Sequence, residues 1–360
     1  MYPQLYYYDY LGSSYSEILR SAIQRPFEII RILVQPPQLL AVIRVLLPFA
    51  FFLPFLHGQW VMLCVPYVLL MFLSSDIDMM QLDKWYTATI FPVLTAATAE
   101  GLLRLPKKKR TFYFWIFAAA SIIAFLVFSP APLGGRFDPQ LYQITPRHRL
   151  ERAVIALVPD SACVVAQKYY VPQLTHRMDL YHYPIYQADV CPEVYYLFDR
   201  SRDSHPADLR DIQNLIEVWM ADPGVAIAAE AEDIVLFRRG GQPLPAVRID
   251  ATAEGAMHLD RVEIAAQNGQ GIYMTMDKFP IDLEIGQGIR VNVYWEALAA
   301  PGAERSVSLR ILDKFGTLVA QHDSMPGGGS KPTSWWQPGW AFRDIYYLTL
   351  PTGAVSGPAS

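Results

Sequence analysis

The chain has 360 residues, with 30 Lys and Arg against 34 Asp and Glu and a formal net charge of −4. That balance lacks the basic excess expected of a nucleic-acid binder, and 3 cysteines are too few for a disulfide scaffold. Apolar residues reach 52% and charged residues 18%, against roughly 25% charged in an average soluble protein, which excludes disorder over most of the length.

Residues 1–37 carry an amphipathic pattern. Ile18, Leu19, Ile23, Phe27, Ile30 and Leu33 recur at helical spacing, with Arg20, Arg25, Glu28 and Arg31 between them. Ser16 is placed to cap a first helix, with Glu17 in its first turn, and Pro26 to start a second. Such helices lie in a membrane interface or pack against further helices of a bundle. The opening MYPQLYYYDY has neither the basic nor the apolar region of a signal peptide.

Four apolar runs follow, at 38–56, 60–73, 87–105 and 112–128. Each approaches the about 20 residues that a spanning helix needs. The fourth fits best, since it has no charge and begins with aromatic residues. The first carries Arg44, Pro48 and Pro54, the second is short, and the third carries Glu100. The expectation is a transmembrane region over 38–129 with about four helices. Arg44 is placed either to contact a lipid phosphate or to snorkel, and Glu100 to pair with Arg104.

Lys107, Lys108, Lys109 and Arg110 form the strongest cationic cluster, in a short loop beside Arg104. The positive-inside rule puts that loop in the cytoplasm. Residues 130–360, the 74–86 loop and residues 1–37 then lie outside. An outside N-terminus without an export signal implies earlier spans, so the chain reads as a fragment at that end.

Residues 130–146 form a proline- and glycine-rich linker. From 147 to 240, helices at 149–157, 171–176 and 208–220 alternate with strands at 162–167, 179–183 and 193–198, and a hairpin at 225–238 closes the segment. This is the pattern of an α/β domain. Residues 245–360 change to short alternating strands separated by Gly, Pro and Asp, with a hairpin turn at Asp313-Lys314-Phe315-Gly316. These features predict an antiparallel β-sandwich, incomplete at its end. The fold class expected is therefore a transmembrane helical bundle followed by an α/β domain and a β-sandwich.

Several stretches resemble a known family. YYDYLGSSYSEILRSAIQRP, LLPFAFFLP, VPYVLLMFLSS and WYTATIFPVLTAA are similar to the bacterial membrane-protein family called domain of unknown function 2079. ALVPDSACVVAQKYYVPQLTHRMDLYHYP, EVYYLFD and IVLFRRG resemble that family's external domain, over about residues 5–240 in all. The resemblance implies kinship with GT-C glycosyltransferases, which take a sugar from a polyprenyl-phosphate carrier on the outer face of a membrane. The Asp-Leu-Gly-like element and His-Phe pair of the family's N-terminal loop are not in this sequence. The chain thus resembles the C-terminal half, inactive by itself. The tail, with VNVYWEAL and DIYYLTLP, is similar to an immunoglobulin-like module of bacterial surface proteins.

The leading site candidate is the 74–86 loop. Asp76, Asp78 and Asp83 are its catalytic candidates. Asp76 and Asp78 are candidates for a divalent cation, which takes oxygen ligands, and Lys84 and Tyr86 for a lipid-linked phosphate. The alternative is a solvated loop. Arg44, His176 and Arg177 complete the substrate-binding set, with His182, Tyr169, Tyr170, Tyr181, Tyr183 and Tyr186 near the last two in sequence. No zinc spacing, nucleophile elbow or phosphate-binding glycine loop is present. Cys163 and Cys191 are chemically able to pair outside the cytoplasm. Trp295, Trp335, Trp336 and Trp340 are candidates for a carbohydrate platform, or for core and turn packing. The function expected is a bacterial inner-membrane, glycosyltransferase-like protein that uses a polyprenyl-phosphate sugar. The alternative is a membrane-anchored, non-enzymatic binder of envelope polysaccharide.

Overall fold

The computed structural model describes residues 3–80, 85–185, 191–278, 281–313 and 315–352. The chain divides into two compact units, Met1–Gln143 and Ile144–Ser360.

The first unit is helical. Helices α1 (Tyr15–Gln24), α2 (Pro26–Leu33) and α3 (Pro36–Leu46) follow one another, and proline at the first helical position of α2 and α3 sets each start. Ser14, not Ser16, caps α1. It has the extended backbone of an N-cap, and its hydroxyl accepts the Glu17 N–H at 3.3 Å. Helices α4 (Gly58–Phe72), α5 (Ile90–Arg104) and α6 (Lys107–Phe128) complete the unit. Phe49, Cys64, Met71, Phe72, Ile90 and Leu94 form its core. The Arg110 guanidinium donates to the Leu102, Leu103 and Leu105 carbonyls, so the basic loop closes the C-terminal end of α5.

The expected run of about four spans is met in part. One helix, Lys107–Phe128, is long and apolar enough to cross a membrane among the described residues; a second span results only if Pro26–Leu33 and Pro36–Phe49, bent by 59°, act together. The first apolar run does not stay helical. Pro48 and Pro54 fall in 3-10 turns at Leu47–Phe49 and Leu53–His57, and Ala50 and Phe51 between them take positive φ of 50° and 64°. Proline withholds a donor and crowds the preceding turn, which ends α3 early. Helices α4 and α5 have 15 residues each, about 22 Å at 1.5 Å per residue, short of the roughly 30 Å hydrocarbon layer.

The second unit is built on one sheet. Its helices are α7 (Pro146–Ile155), α8 (Val171–Leu174) and α9 (Leu209–Ala221). The strands are β1 (Cys163–Ala166), β2 (Leu180–His182), β3 (Glu193–Asp199), β4 (Ala226–Ala231), β5 (Ile234–Gly240) and β6 (Val247–Ala253), then β7 (Met257–Gln267), β8 (Tyr273–Thr275), β9 (Gly288–Ala297), β10 (Val307–Leu312), β11 (Leu318–Ser324) and β12 (Ala341–Thr349). Strand order is β12-β9-β7-β8-β4-β5-β3-β1-β2, with β6 on β7. The β1–β2 and β1–β3 pairs are parallel, as βα connections require, and the other pairs are antiparallel.

The expected α/β elements are present, displaced by at most a few residues. The expected sandwich differs. Strand β8 pairs with β7 and also with β4, through Ala229↔Met274 and Glu230↔Tyr273, so the β-rich tail continues the α/β sheet. Among the described residues the β10–β11 hairpin alone forms a second layer, packing Val307, Leu309, Ile311 and Val319 onto Ile289, Val291, Val293, Tyr346 and Leu348. In its turn the Asp313 carboxylate accepts the Phe315 and Thr317 N–H groups.

Two fully buried arginines join the halves of this unit. Arg343 of β12 donates to Trp219, Met220 and Val225 carbonyls, closing the C-terminal end of α9. Arg290 of β9 pairs with Glu230 of β4 at 2.9 Å. Cys163 and Cys191 form a disulfide, with Cα atoms 6.4 Å apart.

Candidate functional site

In the first unit, the C-terminal end of α4 gathers several polar contacts. Tyr8 and Tyr10 hydroxyls donate to the Leu70 and Leu73 carbonyls, and the Gln38 amide donates to that of Phe72. These donors satisfy carbonyls that the helix end leaves open. The acidic loop starts directly after it. Asp76 is half-buried, its N–H bonded to the Ser74 hydroxyl at 3.0 Å and its carbonyl to the Met79 N–H. Tyr86 packs its ring into the helical core, and its carbonyl accepts the Tyr67 hydroxyl at 2.7 Å. The Asp78 side chain, Asp83 and Lys84 lie outside the described residues, so the loop's expected constellation is represented by Asp76 and Tyr86 alone. Among the described residues no three His, Cys, Asp or Glu side chains converge as a metal site requires. Glu100 pairs with Arg104 at 2.7 Å, as the spacing predicts, and also accepts the Trp60 indole N–H.

Arg44 stands in a different setting. It lines a cleft of about 220 Å³ with Pro48, Ser121, Ala124, Phe125, Phe128, Ser129 and Pro130. Its guanidinium lies 5.9 Å from the Phe128 ring centre, and its Nε is buried with no hydrogen-bond partner. The Ser121 hydroxyl donates to the Pro48 carbonyl and so orients the cleft wall. The cleft sits at the C-terminal end of α6, opposite the Lys and Arg cluster at its start. An unsatisfied guanidinium donor in an apolar setting favours an anionic acceptor.

In the second unit, His176 and Arg177 are brought together but are engaged structurally. The buried Arg177 guanidinium donates to the Val158 carbonyl at 2.7 Å and to that of Pro159 at 3.3 Å. His176 is exposed, with Nε2 2.8 Å from an Arg177 nitrogen. His182 reaches the Ser204 hydroxyl; burial, then nearby Lys168 and His205, pushes its pKa down. Of the tyrosines, Tyr170 is fully buried and donates to Asp199, while Tyr181 and Tyr183 pack against the second core. Exposed Tyr169 lies between the Lys168 and Arg202 cations. Tyr186 lies outside the described residues. Trp336 is buried and Trp295 packs against it, which fits the packing alternative; Trp335 and Trp340 are exposed.

The sequence did not single out Asp199. It is fully buried and accepts from Arg147, Tyr170 and Ser201. Burial by itself would raise its pKa, but the Ser201 hydrogen bonds and the Arg147 guanidinium outweigh that and hold it below the usual carboxylate range. A second missed cluster surrounds Glu230 and includes Arg200, Arg290, Tyr273 and Tyr347. Its sequence signal is a charge inside an otherwise apolar strand, as in AIAAEA and GIRVNVYW.

One unit thus presents a spanning-length apolar helix and the other a mixed sheet with buried ion pairs, the composition of a membrane-associated protein. The chain belongs to the predicted membrane protein family DUF2079, whose profile matches residues 3–236. The strands beyond residue 236 lie outside that match. No curated protein matches the chain, and no solved structure does.

Proposed function

We propose that the chain is the lipid-phosphate-binding part of a glycosyltransferase-like membrane protein that takes a polyprenyl-phosphate-linked sugar at the outer face of a bacterial inner membrane. The Arg44 cleft carries this reading. A guanidinium with an unpaired, buried donor lies at the end of α6 that the positive-inside rule puts outside. A lipid-borne phosphate is the anionic acceptor available at that depth. On this reading the protein is multi-pass, and the 74–86 loop, with Asp76 and Asp78, is the seat proposed for a divalent cation.

The test uses the full chain in lipid nanodiscs, titrated with a long-chain polyprenyl monophosphate and read by native mass spectrometry. Arg44→Gln is expected to weaken binding about tenfold, a charge-assisted hydrogen bond of ~1.4 kcal/mol or more, and Arg44→Lys to restore part of it. Equal binding by wild type and Arg44→Gln overturns the reading.

A second reading, an envelope-glycan binder, is supported by a polar pocket in the sheet of the second unit. It needs no chemistry from the 74–86 loop.

A further inference from the structure

A pocket of about 450 Å³ opens on the second unit where β4, β8 and β12 come together. Its walls include Arg200, Glu230, Gln267, Gln270, Tyr273 and Tyr347. At its base Glu230 is only 4% exposed. One of its carboxylate oxygens accepts from Arg290 at 2.9 Å and from the Tyr347 hydroxyl at 2.8 Å; the other accepts from both Arg200 Nη atoms at 3.3 Å. The Tyr273 and Tyr347 rings meet edge to face, 5.7 Å apart, and fix one wall. The turn that carries Gln270 is held by the Asn268 side chain, which accepts the Gln270 and Ile272 N–H groups.

Glu230, Arg200, Tyr273, Tyr347 and Gln267 are held before any ligand arrives by their bonds and ring contacts to one another or to the sheet. The volume falls within the usual range for small-ligand sites. The wall mixes donors and acceptors at short spacing: guanidinium, carboxylate, two amides and phenol hydroxyls. Arg290 and Glu230 neutralise each other, and Glu232 at the rim is paired with Arg147 at 3.1 Å. The ligand that fits is compact and polyhydroxylated, since each hydroxyl both donates and accepts, and its C–H face can lie on a tyrosine ring.

We propose that this pocket is a saccharide-binding site, formed by Arg200, Gln267, Gln270, Tyr273 and Tyr347 around the fixed carboxylate of Glu230. The proposal rests on the envelope-glycan reading and gives it a location. It owes nothing to the exposed Trp335 and Trp340.

Saturation-transfer NMR on the full chain in nanodiscs, with diacetylchitobiose and D-glucuronate as probes, tests it. Wild type is expected to show transfer to at least one probe. Tyr273→Ala and Gln270→Trp are each expected to reduce binding at least tenfold, the first by removing a wall and the second by filling the mouth. Gln270 contributes only its backbone N–H to the turn, so Gln270→Trp keeps the fold even if Tyr273→Ala does not. Transfer that persists unchanged in Gln270→Trp overturns the site and leaves the glycan reading standing at another surface, whereas no transfer to wild type overturns both. Either result is independent of polyprenyl phosphate binding at Arg44.

Discussion

The two units solve opposite solvent problems. In the helical unit large apolar side chains face outward: Phe27 is 85% exposed and Trp115 66%, and only 11% of the α6 window is buried. Among the described residues its buried polar side chains are uncharged, namely Gln38, Ser74, Thr87 and Thr98. In the sheet unit Val164, Leu197 and Phe237 are sealed inside, and Asp199, Arg290 and Arg343 are buried with them. Water rewards burial of apolar surface and leaves room for a few fully paired charges inside. A hydrocarbon solvent gives no such reward, so apolar residues remain outside and interior contacts are small or neutral. The outward apolar surface of the first unit fits a chain of a membrane-protein family.

That contrast can be broken at four points. The largest effect is expected from Arg290→Ala, which leaves Glu230 buried without its closest cation. A loss of about 3–5 kcal/mol is expected in denaturant unfolding followed by tryptophan fluorescence. A loss under 1 kcal/mol would mean that the pair is not essential to the joined sheet.

Next comes a matched pair of charge insertions. Ile123 in α6 is 51% exposed and Val218 in α9 is 64% exposed. If the first faces lipid and the second water, Ile123→Arg penalises membrane insertion by roughly 2.5–3.5 kcal/mol, while Val218→Arg changes stability by less than about 0.5 kcal/mol. A glycosylation-reporter insertion assay reads the first and thermal unfolding the second. Equal, small effects would remove the membrane assignment of α6.

Asp199→Asn comes third. At neutral pH it is expected to cost about 1–3 kcal/mol by leaving donors poorly matched. The Asp199 carboxyl is held down in the folded state, so its contribution is present above the ordinary carboxylate pKa and is lost as pH falls through the lower, folded value. Wild type and Asp199→Asn unfolding curves should therefore converge in strong acid, and a constant gap at every pH would refute the assignment.

The smallest effect belongs to His258. Hydrogen bonding to Asp250, with Glu296 adding, raises its pKa. Its contribution is full below the ordinary histidine value and fades as pH rises through the raised one. His258→Gln is expected to flatten the melting temperature between mildly acidic and mildly alkaline pH, and an unchanged slope would place the dependence elsewhere.

Much of the fold was legible in local sequence. FYFWIFAAASIIAFLVF, uncharged over a full spanning length, marks α6, and the spacing of Leu209, Ile212, Leu215, Ile216 and Trp219 marks α9, while the structure moves Asp208 from the helix to its N-cap. The candidate site was less legible. Arg44 stood out because a charge in an apolar run is unusual. The broken path after α3 did not, because two left-handed residues, Ala50 and Phe51, leave no compositional trace. Arg177 had the chemistry of a ligand contact, and only the carbonyls of Val158 and Pro159 around it revealed its structural role.

The sequence alone therefore settled what depends on neighbours along the chain: the spanning-length helix, the alternation of α and β elements, and the turn at Asp313. Tertiary structure decided what depends on residues far apart. Glu230 meets Arg290 and Tyr347, Arg343 meets the end of α9, and β8 lies between β4 and β7. Periodicity records which face of a strand is buried, but not which strand or charge lies against it, because pairing across a sheet is fixed by packing and hydrogen bonding at long sequence separation.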